Sequence, residues 1–304
     1  MNLHSDIGER AHNMFRDAAR RAVMPLSQNE VNEFLQRIWL TLDNGKKTAA
    51  ILKELTSRLD LRPSNAAATQ MAMRIRQFLG VGKINPLFDL PTLLDEKLNV
   101  FLFPIEQSKL AGAAAIFEDV AFIFVADVTS EEALFTCAHE LAHLAILSAQ
   151  RNSDGGAILD PAVDSPGSLR GPIEYFADVF ASELLIPSHG LGVALQKVRD
   201  ILGILVGPVG DVELLYLSRI FGVSFLSIAK KCESAKILPK GGARSLNRFL
   251  IEKFGGPEQR ARDLGLPPRP KIYVARMPKS LELEIIKQIN NTKMALERSK
   301  FAST

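Results

Sequence analysis

Phe135-Thr136-Cys137-Ala138-His139-Glu140-Leu141-Ala142-His143-Leu144-Ala145-Ile146-Leu147 is the stretch on which the reading of this chain turns. Ala and Leu dominate it, and no Gly or Pro interrupts the chain from Glu131 to Gln150, so a helix is predicted there. It contains one H-E-x-x-H. Residues four apart on a helix lie one turn above each other on one face, so His139 and His143 can offer two imidazole nitrogens to one ion. Neutral imidazole suits Zn²⁺, which takes N, S and O donors tetrahedrally. Glu140 follows the first His and would face the ion's open position, where a carboxylate can take a proton from water and make it a nucleophile. The three residues could instead decorate the polar stripe of a surface helix. Their neighbours oppose that: Leu134, Phe135, Ala138, Leu141, Ala142, Leu144 and Ile146 make the helix apolar nearly all round, the mark of a buried one. A buried His-Glu-His cluster needs partners, and a metal ion supplies them.

A catalytic zinc has three protein ligands and one open position. A polar loop rich in Gly and Pro, Arg151 to Pro172, follows the first helix, and the chain then turns apolar over Ile173 to Pro187. Pro172 suits the first turn of a second helix and Pro187 its end. Glu174 and Asp178 are four apart and share a face. Glu183, nine beyond Glu174, is read as pointing back to nearly the same side. Glu174 is the expected third ligand, with Glu183 as its rival. Asp178 is placed to accept the free N–H of a ligating His. The plainer role for Glu174 is that of an acid favouring a helix N-terminus. His189 follows this helix and is a further candidate, as a transition-state donor, although a lone His beside a site more often packs than reacts.

The two segments together resemble the ImmA/IrrE family of zinc metallopeptidases. The resemblance rests on F-T-x-A-H-E-x-x-H, here Phe135 to His143, and on E-x-x-A-[ND]-x-F-A-[AS]-x-L-L-[IM]-P, here Glu174 to Pro187. Phe88 to Val100 is similar to the family's leading helix and first strand, Thr129 to Glu132 to the start of its active helix, and Leu217 to Ser224 to its helix-turn-helix-like end. The likeness spans about residues 68–238, on the two motifs just quoted. It implies a minimal zincin with His139, His143 and Glu174 as metal ligands and Glu140 as catalytic base. It also implies a partner substrate: family members typically cleave, or release from DNA, a repressor of the helix-turn-helix class. Ala142 stands where the family often has Gly or Ser, and the long N-terminal region matches no family pattern.

Composition sets the bounds. With 304 residues there is room for one or two domains, and an apolar fraction of 47% with 23% charged residues is ordinary for a globular chain. A net charge of +3 is too small to argue for nucleic acid. Two cysteines, Cys137 and Cys232, exclude a disulfide framework and read as core thiols. Cys137 lies roughly 200° round the helix from His139 and should point away from the metal. No signal-like pattern opens the chain and no run of about eighteen apolar residues occurs, so the expectation is a cytoplasmic protein with no membrane partner.

Along the chain, Ile7, Ala11, Met14, Phe15, Ala18 and Ala22 recur at helical spacing with Arg10, Arg16, Arg20 and Arg21 between them. Ser27 and Glu30 form a capping box for a second helix over 28–42. Helices are also predicted over Thr48–Leu61, Ser64–Leu79 and Leu90–Leu98. Strands follow at Val100–Pro104, Ala113–Phe117 and Val120–Val125, with Glu118-Asp119 as a hairpin turn. They would form a small, largely antiparallel sheet whose edge lies beside the metal and can receive an extended substrate as an added strand. The loop from Ala149 to Gly171 is long enough to be a lid or a substrate contact. Asp211 to Leu238 reads as helix, Gly222 turn, helix, and burial fits its Phe225-Leu226 start better than DNA contact does. Helices near Leu246–Phe254 and Pro257–Leu264, a stiff Leu266–Pro270 linker and a helical hairpin over 281–301 complete the chain.

The expected fold is therefore α+β and mostly helical, a minimal zincin-like core with a small antiparallel-rich sheet. The expected organisation is an N-terminal helical region at 1–80, the metallopeptidase core at 81–200, its helix-turn-helix-like end at 201–240 and a helical tail at 241–304. The expected function is zinc-dependent hydrolysis of a peptide bond in a partner repressor during a stress or mobile-element response, with Zn²⁺ (or Mn²⁺) as cofactor. A non-catalytic, metal-dependent antirepressor is the alternative. Direct nucleic-acid binding is not expected.

Overall fold

The computed structural model describes residues 35–36, 48–57, 64–105, 111–126, 130–150, 158–160, 171–270 and 278–287. The helices expected over 1–24 and 28–42, apart from residues 35–36, and the second helix of the tail lie outside the described residues. Within them the chain is α+β and mostly helical.

Local signals set the early elements. Helix α1 is Thr48–Thr56 and α2 is Asn65–Leu79. Ser64 caps α2, its hydroxyl accepting from the Ala67 N–H at 3.2 Å, and Gly80 closes it in the left-handed region at φ 75°. Pro91 opens α3, Leu90–Leu98, and Asn99 ends it at φ 50°.

The sheet comprises β1 (Phe101–Ile105), β2 (Gly112–Phe117), β3 (Val120–Ala126) and β4 (Ile158–Asp160), in the order β1-β3-β2-β4. β2 and β3 form the expected hairpin. Its two turn residues, Glu118 and Asp119, both have positive φ, 45° and 68°, the geometry that matches strand twist across a two-residue turn. β1 pairs with β3 in parallel, so the sheet is mixed, with two of its three pairings antiparallel. β4 lies inside the connection expected to be a loop. It pairs with Ala114, Ala115 and Ile116 of β2, taking part of the edge where an incoming strand was expected.

The period of two sorts the strands by face. Leu102, Ala114, Ile116, Ala121, Ile123 and Val125 join the main core beneath the long helix α4, Ser130–Gln150. Phe101, Phe103, Phe122 and Phe124 pair across β1 and β3 on the other face, at 5.8 and 6.1 Å between rings. Helix α5, Pro172–Leu185, packs against both α4 and α2. Ala68 and Ala72 of α2, Ala138 and Ala142 of α4, and Ala177 and Ala181 of α5 are all buried, and such small side chains let the three helices approach closely.

Helix α6 is Ser188–Leu202, α7 is Asp211–Phe221 and α8 is Phe225–Ser234. The turn between α7 and α8 depends on Gly222. Its φ is 67°, and a Cβ there would fall 2.7 Å from the Phe88 ring. Leu214, Leu217, Phe221, Phe225, Ile228 and Cys232 of this pair are buried in the main core. Among the described residues no single helix is long and apolar enough to cross a membrane, and α7 with α8 passes that test only as a pair bent by 107°. Helices α9, Gly242–Phe254, and α10, Pro257–Asp263, follow, with the Arg260 guanidinium 4.2 Å from the Phe254 ring centre. The tail returns as helix over 279–287. Ser280 donates its N–H to Asp95 Oδ2 at 3.0 Å, and its hydroxyl bonds the other oxygen of that carboxylate.

A buried ionic cluster ties α5, α6, α8 and α2. Glu183, near the end of α5, accepts from the Ser188 N–H and hydroxyl, both at 2.9 Å, and is ion-paired with Lys231 of α8. Arg76 of α2 donates to the carbonyls of Gly82, Asn85 and Leu184. Burial alone would raise the Glu183 pKa, but the Lys231 ammonium and the Ser188 donors outweigh it and hold the carboxyl below its ordinary value. A depressed pKa contributes stability that is present above the ordinary carboxylate range and is lost as pH falls through the folded value. Lys231→Met is expected to cost about 3–5 kcal/mol by urea denaturation at pH 7, because it leaves a buried charge uncompensated. The same series at falling pH should show a shallower loss of stability in Lys231→Met than in the native chain.

Candidate metal centre

Helix α4 carries the H-E-x-x-H with its buried side against the sheet and α5. His143 is fully buried and forms the floor of the site, Glu140 is buried beside it, and His139 is 13% exposed. Glu174, in the first turn of α5, forms the rim at 30% exposed. The Nε2 atoms of His139 and His143 are 3.1 Å apart. Glu174 Oε2 is 3.3 Å from His139 Nε2, and Glu174 Oε1 is 3.2 Å from His143 Nε2. A tetrahedral zinc with bonds of about 2.0 Å has ligand atoms about 3.3 Å apart. The three side chains make a triangle in which each ring nitrogen faces a different oxygen of the Glu174 carboxylate, and His139, His143 and Glu174 form a group able to hold a metal ion.

Asp178 stands one turn beyond Glu174, with Oδ1 at 3.2 Å from His139 Nδ1. With the proton on Nδ1 donated to Asp178, the Nε2 lone pair points into the triangle. Burial lowers the His139 pKa, but the acceptors Asp178 and Glu174, with the charge of Glu140, outweigh it and raise it to about 9. Without metal the ring thus keeps a proton through neutral pH. A raised histidine pKa contributes stability that is present below the ordinary value of 6.5 and lost as pH rises through about 9.

The other sequence candidates fall elsewhere. Glu183 does not face the triangle, and the reading that it points to the side of Glu174 is corrected here. Nine residues are two and a half helical turns, which puts it across the helix axis, where it meets Lys231. His189 is exposed in the first turn of α6 and is not in the metal-capable group. Cys137 and Cys232 are free, buried thiols; burial pushes both up, Cys232 to about 12, with the Glu140 charge adding at Cys137.

Two contacts were not read from the sequence. Phe135 lies one turn before His139, with ring centres 6.4 Å apart. β2 starts at Gly112 so near α4 that a Cβ there would lie 2.5 Å from Thr136 Cγ2 and 2.9 Å from Glu140 Oε1. A glycine opening an otherwise all-alanine strand start was the available signal, since such a glycine often marks a close approach.

A long helix bearing H-E-x-x-H, laid across a small sheet and answered by a carboxylate from the next helix, defines a metallopeptidase-type site. Residues 95–233 match the Peptidase_M78 family model, described as the IrrE N-terminal-like domain. The match takes in the sheet, both site helices and the α7–α8 pair. Comparison with curated proteins found no match.

Two measurements test the centre. Metal binding at pH 7 should release about one proton from His139, seen by calorimetry in buffers of different ionisation enthalpy, and the release should fade above pH 9. Asp178→Asn should weaken metal affinity about 10–100-fold in a chelator competition, because the ring loses the charged acceptor that orients it and raises its basicity.

Proposed function

We propose that this protein is a zinc endopeptidase that hydrolyses a peptide bond in a partner protein. The observation that carries the reading is the convergence of His139, His143 and Glu174, with 3.1 Å between the ring nitrogens and 3.2–3.3 Å from each of them to one Glu174 oxygen, and Glu140 buried on the same helix, inside the residues that match the Peptidase_M78 model. His139, His143 and Glu174 would hold the ion; the donor set suits Zn²⁺ and also accepts Mn²⁺. When bound, the metal supplies a Lewis acid that polarises a peptide carbonyl and acidifies water. Glu140 takes the proton of the attacking water on a carboxylate oxygen and delivers it to the departing amide nitrogen. Asp178 holds the His139 ring in place. Glu140 is only 2% exposed, so bulk water is largely kept from its carboxylate.

The β2 end at Gly112 lies against Thr136 and Glu140 of α4, so an extended substrate can add as a strand at that end of the sheet. Ile173 and Tyr175, both exposed on either side of Glu174, offer apolar contact at the rim. The resemblance to ImmA/IrrE peptidases supports a helix-turn-helix repressor as the partner, cleaved in the cytoplasm during a stress or mobile-element response. Lys231, one of two adjacent lysines on α8, is buried with Glu183, so the reading assigns this helix to packing and gives nucleic acid no direct role.

Mass-spectrometric mapping of new protein N-termini in cells producing the native chain or Glu140→Gln tests this. Termini present only with the native protein are expected and would name the substrate. Identical profiles, with metal bound by both proteins, would replace the peptidase by a metal-dependent antirepressor.

A further inference from the structure

We infer that Gly112 is a positioning residue for Glu140: the missing side chain at the start of β2 makes the space in which the Glu140 carboxylate lies. The inference rests on the peptidase reading above and concerns how its base is held.

The backbone does not require glycine at this position. Gly112 is in regular strand, paired with Val125, and is absent from the residues with positive φ. What requires it is space. A Cβ would stand 2.5 Å from Thr136 Cγ2, 2.9 Å from Glu140 Oε1 and 3.0 Å from Glu140 Cγ. Ordinary contacts between such atoms begin near about 3.5 Å, so both side chains would have to move. Neither moves freely. Thr136 is β-branched and buried, which leaves its χ1 few alternatives. Glu140 is 2% exposed, and α4 is anchored by Leu134, Cys137, Leu141 and Leu144 in the core. Thr136 and Glu140 are one turn apart on α4 and both face β2, so a methyl group at position 112 drives into that face at two points. The metal-capable atoms of His139, His143 and Glu174 are not among those three contacts. The displacement therefore falls on the base and spares the ligands.

The test needs a reporter of the Glu140 carboxylate other than turnover. A hydroxamate bound to such a metal gives up a proton, and Glu140 is the acceptor beside it. Acetohydroxamate affinity would be read from the visible spectrum of cobalt-loaded protein in four chains: native, Gly112→Ala, Glu140→Ala and the double variant. All four would also be made with Thr136→Ser, which removes Cγ2 and isolates the contact with Glu140. Zinc affinity should stay within about threefold throughout. Gly112→Ala should weaken the hydroxamate about 10-fold or more, and should add nothing on the Glu140→Ala background. With a cleaved partner in hand, kcat should fall by up to about 100-fold, the scale for an ångström's misplacement, while KM holds. The inference is overturned if Gly112→Ala binds hydroxamate like the native chain, loses zinc, or loses as much affinity with Glu140 absent. It also falls if Gly112→Ala fails to fold even with Thr136→Ser, since Gly112 would then serve core packing alone. A native chain that binds neither zinc nor hydroxamate would sink the peptidase reading instead, a result distinct from all of these.

Discussion

Two imidazole nitrogens and a carboxylate, all within 3.3 Å, concentrate lone pairs at one point. A metal ion or a proton relieves that crowding, and the acceptors Asp178 and Glu174 accordingly raise the His139 pKa to about 9 against the effect of burial. The site is thus an arrangement the fold imposes on reluctant partners. α4 supplies two of the donors by helical spacing alone. The third depends on the packing of α5 on α4, and hence on the buried alanines and on Phe176 and Phe180 that set the distance between the helices.

The same dependence runs outward. α5 is held at its far end by Glu183, which meets Lys231 of α8 and the start of α6. The helix-turn-helix-like pair therefore serves as a clamp on the helix that presents Glu174. Its buried turn at Gly222 packs on Phe88, just before α3, so the clamp reaches the segment that leads into the sheet.

Much of this was legible in the sequence because local rules governed it. Ser64, Gly80, Pro91, Pro172 and Gly222 mark helix ends by their own chemistry, and the structure puts the ends there. The turn at Glu118-Asp119 and the face shared by Glu174 and Asp178 likewise follow from short-range geometry. What was not legible depended on contacts distant in sequence. Nothing near Glu183 announces Lys231, 48 residues later, and its side of α5 was misjudged because two and a half turns were taken for a near-whole number. The parallel β1–β3 pair and the β4 strand are choices of topology, which alternation of residues cannot reveal. Gly112 was visible as a glycine, but its neighbour Glu140 lies across a strand-to-helix contact that no window of sequence contains.

β4 belongs to the connection between the two helices that carry the metal-capable residues, and it also occupies part of the sheet edge at Ala114–Ile116. It is a tethered competitor for that edge, since its pairing with β2 is made within one chain. A free peptide that needed the whole edge would have to outbind the protein's own strand. The chain thus guards the middle of its own sheet edge, and anything that pairs there does so by exchange with β4.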